Sequence, residues 1–358
     1  MHGGSLTARH VRMAASEAEH FALALFGETA LATRLETEKD DTFRLDVVGG
    51  RRLIMKVANP AEPRSEAAFQ VALLRHVAER DPSLSVPRVV PDRDGQWFAQ
   101  IVDRAGQDRM VHLLTFVDGM PLDRAPTSRP QRRQVGRLLG RLRHAMAGFD
   151  HPGASRMLAW DVRHLLDLAP GVGAVPDPAR RAQLERGLDR FATVEPAVAQ
   201  LRKQVLHNDF SHSNLIVDRH DPERLAGVID FGDAVRTAIA IDVSTALLNQ
   251  LPRHVDDAHN IDIFAVGRDV LGGYLEVSDL TDEELALLPH LVMARVIARA
   301  IITHRRAALF PDNAQYIMRN TEPGWGQLSW FLRRSPDELS ATLRSVINSS
   351  PSLEGSTS

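Results

Sequence analysis

The sequence predicts an α+β protein of two lobes, a β-rich N-terminal lobe followed by a mainly helical C-terminal lobe. Three observations carry the prediction. Apolar and polar residues alternate from Phe43 to Val57 around Gly49-Gly50, as in an antiparallel hairpin. After Gly119 the apolar spacing changes to three and four residues, the period of amphipathic helices. Runs with β character return only around residues 205–230, where polar groups sit between two apolar stretches. The boundary is expected near residue 117, giving lobes of 1–117 and 118–358.

Ser16-Glu17-Ala18-Glu19 has the spacing of a capping box and opens a short helix that should stop at Gly27. Phe43, Leu45 and Val47 then form one strand face, and Leu53, Met55 and Val57 the same face of the returning strand, which leaves Lys56 on the opposite face. Residues 62–80 read as a helix with the apolar stripe Phe69, Leu73 and Val77, and Pro63 falls in its first turn. Glu62, Glu66 and Gln70 recur every four residues on a separate polar face. VPRVVPD, QWFAQIVD and RMVHLLTFVDG are three further strands. In the second lobe, Val135, Leu138, Leu139, Leu142 and Met146 mark a helix ending at Gly148, and residues 178–198, 238–250, 260–276 and 282–309 are further helices. The tail PSLEGSTS is too polar to pack and is expected to be disordered.

Composition removes several functions. With 358 residues, 44% of them hydrophobic, the chain can fill one large core or two lobes. A net charge of -3, from 43 basic and 46 acidic residues, is the wrong sign for a nucleic-acid surface. Without cysteine there is neither a disulfide framework nor a thiolate nucleophile or metal site. MHGGSLTARHVRM has no apolar signal region, and no uninterrupted apolar run is long enough to span a bilayer, so a cytoplasmic protein with no membrane partner is expected. Lysine is scarce: Lys39, Lys56 and Lys203 are the only three, so one within an apolar strand stands out. Alone, Lys56 reads as an edge residue with its ammonium in solvent.

The chemistry concentrates in VLHNDFSHSNLIVDR and GVIDFGDAV. Phosphoryl transfer from a nucleotide needs a carboxylate near the acceptor hydroxyl, oxygen ligands for Mg²⁺ and a lysine on the phosphates. The kinase loop supplies them as D-x-x-x-x-N, with a histidine two residues before the aspartate and D-F-G later. His207, Asp209, Asn214 and Asp230-Phe231-Gly232 match this order and spacing. A calcium loop from Asp209 fails, because Asn214 stands at the required glycine and His220 at the closing glutamate. The histidines 207, 212 and 220 lack the paired spacing of a zinc site. A plain turn would not explain a second acidic strand end at IDFGD. Lys56 then acquires a phosphate-binding role, and a protein-kinase-like two-lobe fold follows.

ETEKDDTFRL, MKVANPAEP, VPRVVP, HLLTFVDGMPL, AGFDHPGASRMLAWDVRH, VLHNDFSHSN, GVIDFGDAV and LTDEELALLPHLVMARV together resemble the aminoglycoside phosphotransferase/choline kinase superfamily, from about residue 20 to about 333. Within it the chain is most similar to the hydroxylysine kinase group, which also occurs fused to class III aminotransferases. The resemblance implies Asp209 as catalytic base, and Asn214 and Asp230 as Mg²⁺ ligands. Lys56 would hold the phosphates of ATP or GTP with Glu66 orienting it, and Glu38, Lys39, Asp40, Asp41 and Thr42 would form the phosphate-covering loop. Leu114, Thr115, Phe116 and Val117 would receive the purine. That loop has no glycine, Asn208 replaces the arginine of H-R-D, and no regulated activation segment follows Gly232. These departures point to a small-molecule kinase. The usual helix glutamate aligns with Gln70, which leaves Glu62 or Glu66 to pair with Lys56.

The implied acceptor is a hydroxylated amine such as 5-hydroxylysine. A site for it needs a carboxylate for the ammonium and an arginine for the carboxylate. Asp233, Trp160 with Asp161, and Arg295 or Arg299 are the candidates. Antibiotic, homoserine or choline kinases are the alternative enzymes, and a nucleotide-binding pseudokinase the non-enzyme alternative.

Overall fold

The structure is a computed structural model that describes residues 10–37, 40–255 and 261–344. The polar tail, the first nine residues, and Glu38 and Lys39 of the expected phosphate loop lie outside the described residues. The fold is of the α+β class that the patterning predicts. Among the described residues there are eleven strands: β1 (Ala30–Leu35), β2 (Asp41–Val47), β3 (Arg52–Val57), β4 (Val89–Val90), β5 (Ala99–Val102), β6 (Asp108–Thr115), β7 (Met120–Pro121), β8 (Lys203–Leu206), β9 (Leu215–Val217), β10 (Leu225–Val228) and β11 (Val235–Ala238). Two compact units interleave along the chain. The first is built from Met1–Ala125, Ala145–Leu158 and Ser213–Arg236, the second from Pro126–His144, Ala159–His212 and Thr237–Ser358.

In the first unit β1, β2, β3, β6 and β4 lie in that order, all antiparallel, with β5 also paired to β6. Gly49 and Gly50 turn β2 into β3 with φ of 98° and 91°, which a side chain would resist. Alternation puts Phe43, Leu45, Leu53, Met55, Val57, Val111 and Leu113 on one buried face. Met13, Ala18, Ala22 and Phe26 belong to the same cluster. Each fully buried Val, Leu, Met or Phe side chain of this cluster contributes about 1.5–3 kcal/mol by leaving water. The expected capping box does not form: the Ala15–Phe21 helix starts at Ala14 without a side-chain cap. Its glutamates bond distant backbone amides instead, Glu17 accepting from the Arg104 amide in the β5–β6 turn at 2.6 Å and Glu19 from the Ala32 amide of β1 at 2.9 Å. The helix continues as a π-helical turn to Gly27, where it was expected to stop.

The Arg64–Arg80 helix buries Phe69, Leu73 and Val77, the predicted stripe. A second small sheet, β10-β9-β7, completes the unit. Gly119 admits β7 to it: at φ 144°, an added Cβ would lie 2.3 Å from the Val217 carbonyl oxygen.

In the second unit the 28-residue Asp282–Leu309 helix is buried along most of its length. It is apolar and long enough to cross a membrane, but 89% of its apolar window is covered by the protein itself. Thr281 and Glu284 form a reciprocal capping box at its start. Against it pack Ile239–Leu248, Pro178–Gln200 and Glu322–Leu332. The Arg129–Met146 helix carries a row of arginines that pair with Asp269 and Glu276. The helix predicted over 260–276 begins only at Gly267, and a 3-10 stretch over Val162–Ala174 was not predicted.

Two buried histidines make stability depend on pH. Burial, with a smaller push from the Arg190 charge, lowers His290 in the second unit to about 4. Burial, then the Lys56 charge, lowers His112 in the first to about 3. Folded-state values below the unfolded 6.5 mean that the unfolded chain binds more protons as pH falls, so stability is complete above pH 6.5 and lost below it. At pH 5 each contributes a loss on the order of 2 kcal/mol. Asp242, raised to about 6 chiefly by burial, acts with the opposite sign and offsets part of this. Urea midpoints should therefore fall between pH 7.5 and 5, and His290→Gln should flatten that slope. An equal slope in the variant would remove His290 as a cause.

Candidate active site

Cross-strand register sets Thr42, Lys56 and His112 side by side on β2, β3 and β6, on the sheet face opposite the Leu53, Met55 and Val57 cluster. The Lys56 Nζ donates to Asp230 Oδ1 at 2.9 Å, joining residues 174 apart in sequence. Burial opposes the Lys56 charge, yet attraction from Asp230 and then Asp40 outweighs it and raises the pKa. His112 is neutral, so Lys56 is the charged member of the row.

Asp230 has a left-handed backbone, φ 60°, unusual for a residue with a side chain, and its Oδ1 also accepts from the Gly232 amide at 3.2 Å. Its carboxylate is about half exposed. Asn214 lies across the β9–β10 hairpin, where its carbonyl accepts from the Ile229 amide at 2.9 Å. The hairpin thus sets one carboxylate and one amide on neighbouring strand ends. No cluster of three or more His, Cys, Asp or Glu that could hold a metal occurs among the described residues. This oxygen-only pair suits Mg²⁺, which keeps several waters and uses one or two side chains plus substrate phosphates.

Asp41 and Thr42, expected in the loop before β2, belong to the strand itself. Asp41 is fully buried and accepts from Arg109 at 3.0 Å, from the Met13 amide at 3.0 Å and from Arg34. Burial raises its carboxyl pKa, but these partners overcome that and hold it low. Arg109 also reaches Asp103 at 3.3 Å, so this network ties three segments of the lobe together. Asp40 remains in the turn, accepting from the Asn59 amide at 3.2 Å.

Of the three acidic or amide candidates near the inserted helix, Glu62 adds to the field on Lys56, and Gln70 is buried. Glu66 bonds Arg156 at 3.2 Å. Leu114 pairs with Ile54 and Val89 in the sheet, and the amides of Thr115 and Phe116 donate to Arg88 and Arg52 carbonyls. Val117 follows the end of β6.

In the second unit β8 leads into His207, Asn208 and Asp209. His207, Asn208 and Phe210 are buried, while Asp209 between them is only half-buried. Asn208 also has a left-handed backbone, φ 62°. Its amide donates to Asp242 Oδ1 at 2.7 Å, and its side-chain oxygen accepts from Arg295 at 2.6 Å. Two buried charged groups therefore hold the residue before Asp209. The His207 ring accepts from the Asp209 amide at 3.3 Å, which fits a supporting role for His207. Sequence reasoning missed Asp242; its signal was a lone carboxylate in the apolar helix IAIDVSTALL.

The substrate candidates separate. Asp233 is half-buried in the turn after Asp230. Asp161 is fully buried and caps the 3-10 stretch, accepting from the Arg163 amide and side chain and from Thr237. Trp160 is half-buried, and its carbonyl accepts from Arg295 at 2.7 Å. The observed bonds of Asp161 and Arg295 thus lie within the protein.

Residues 33–279 match the family described as "Phosphotransferase enzyme family". The chain is 23% identical over 317 residues to hydroxylysine kinase of Mus musculus, covering 82% of each chain. It is 30% identical over 241 residues to homoserine kinase of Rhizobium rhizogenes, covering 67% of this chain and 69% of that one. Among solved structures, an amicoumacin kinase in complex with AMP-PNP, Ca²⁺ and Ami superposes with a TM-score of 0.67 at 17% identity, over 90% of this chain and 96% of that one. That likeness identifies the fold as protein-kinase-like, with two lobes.

Proposed function

This chain belongs to the phosphotransferase enzyme family, and we propose that it transfers the γ-phosphoryl group of ATP or GTP to the hydroxyl of a small amino alcohol of the 5-hydroxylysine or homoserine type. It is a phosphotransferase with an alcohol as acceptor. The observation that carries the reading is the 2.9 Å contact of Lys56 with Asp230, which joins the expected phosphate lysine to the expected metal ligand. Kinases of hydroxylysine and homoserine among the relatives support the acceptor class. We assign the nucleotide-binding lobe to residues 1–117 and the catalytic and substrate lobe to 118–358, in a cytoplasmic enzyme.

In this reading Lys56 neutralises phosphate charge, Asn214 and Asp230 hold Mg²⁺, and backbone groups of Phe116 and Val117 meet the purine. The cation supplies charge neutralisation on the phosphates when bound. A bond forms between the acceptor oxygen and the γ-phosphorus as the bond from that phosphorus to the β-phosphate oxygen of the departing nucleoside diphosphate breaks. The hydroxyl proton passes to Asp209. Asp233 meets the substrate ammonium, an electrostatic match that a neutral alcohol lacks.

Coupled release of ADP or GDP, with each nucleotide tested against 5-hydroxylysine, homoserine, choline and kanamycin, tests the reading. One of the two amino acids should exceed choline and kanamycin by about tenfold or more in kcat/KM, the effect of about 1.4 kcal/mol. Preference for kanamycin would make this an antibiotic kinase. Nucleotide binding with no turnover on any alcohol would make it a pseudokinase. Either outcome overturns the proposal.

A further inference from the structure

We propose that Arg156 is the positioning residue of the metal-binding loop, fastening residues 232–234 to Glu66 of the Arg64–Arg80 helix so that Asp230 is held ready for the cation. The proposal rests on the reading of Asp230 as a metal ligand. All of its observations lie within the first unit. Arg156 follows the 3-10 turn Pro152–Ser155, which seats on the start of that helix: a Cβ at Gly153 would lie 2.6 Å from the Ser65 carbonyl oxygen. The Arg156 side chain is 4% exposed. Burying a guanidinium is strongly unfavourable unless its donors are satisfied.

Here the fork divides between two targets. Nε and Nη2 donate to the Ala234 carbonyl at 3.2 and 2.8 Å, and Nη2 also to the Gly232 carbonyl. Nη1 donates to Glu66 Oε2 at 3.2 Å. The Phe69 ring of the same helix lies 5.4 Å from the guanidinium carbon.

The loop needs such a hold. Asp230 sits at φ 60°, an unfavourable conformation that persists only where surrounding structure fixes it. Beside the Gly232 amide on its own carboxylate, a restraint from outside the turn is Arg156, gripping the carbonyls two and four residues later. Those carbonyls flank Asp233, so the same grip fixes the proposed ammonium partner. The helix carboxylate therefore acts on the metal-binding loop through Arg156, where the resemblance implied that it acts on Lys56. A lysine cannot reproduce the grip, because a compact ammonium lacks the planar fork that spans two carbonyls and a carboxylate.

Binding of Mn²⁺ in the presence of ADP, read as free Mn²⁺ by electron paramagnetic resonance, tests this without turnover. Outer partners of metal ligands typically contribute about 10–100-fold in affinity. Arg156→Lys and Arg156→Met should weaken Mn²⁺ binding by about that factor, with metal-free ADP binding within about twofold of wild type. Glu66→Ala should weaken it less, and the double variant with Arg156→Lys should be no worse than Arg156→Lys alone, because both act through one contact. Asp230→Asn is the control for the underlying reading. Full Mn²⁺ affinity in the Arg156 variants, beside its loss in Asp230→Asn, overturns the proposal. Full affinity in Asp230→Asn removes the metal reading itself. Should Arg156→Met fail to fold, Arg156→Lys decides alone.

Discussion

Asp209→Ala lowers kcat by about 10²–10⁴-fold, the range of general-base contributions. Asp209 is half-buried, whereas its neighbours His207, Asn208 and Phe210 are all buried. An alcohol is a poor nucleophile near neutral pH. A carboxylate accepting its hydrogen bond aims the oxygen and takes the proton as the new bond forms. The loop keeps its shape in the variant, because Asn208 is held from behind by Asp242 and Arg295. Affinity for the metal–nucleotide complex should change little, since Lys56, Asn214 and Asp230 remain. Calorimetry of nucleotide binding beside steady-state kinetics measures both halves. Lost binding with an intact kcat at saturation would make Asp209 a binding residue.

Asp230→Asn should abolish Mg²⁺-dependent turnover, by about 10³-fold or more, while the protein stays folded. The change is nearly isosteric but replaces the proposed charged oxygen ligand with a neutral amide. Electrostatic stabilisation of a transferring phosphoryl group is worth several kcal/mol, so a large effect follows. Lys56 loses the first of the attractions that raise its pKa, but Asp40 and Glu62 remain to support its charge. Asp230 is about half exposed, so the melting temperature should stay near that of the parent. Circular-dichroism melts with Mg²⁺-titrated assays distinguish loss of chemistry from loss of fold. Unchanged activity would remove Asp230 from the mechanism.

The sequence by itself determined whatever depends on neighbours along the chain. Alternation around Gly49-Gly50 specified β2, β3 and the face of Lys56, since side chains on a strand must point to opposite sides. The three-to-four spacing specified helices such as Asp282–Leu309 almost to the residue. His207, Asp209, Asn214 and Asp230 stood out in the sequence because the order and spacing of the motif lie within short stretches of chain.

Only the tertiary structure decided which distant groups complete those segments. Asp242 lies 34 residues beyond Asn208 in an apolar helix, and nothing local distinguishes it from a misplaced polar residue. The capping box read at Ser16 did not form, because bonds from Glu17 and Glu19 to distant backbone amides took its place. Asp41, which the family resemblance implied for a phosphate loop, is drawn into the lobe by Arg109, 68 residues away. Glu66 faces Arg156 across 90 residues of chain. In each case a buried charge or carboxylate is stable only with a partner, and the partner is set by where strands and helices cross.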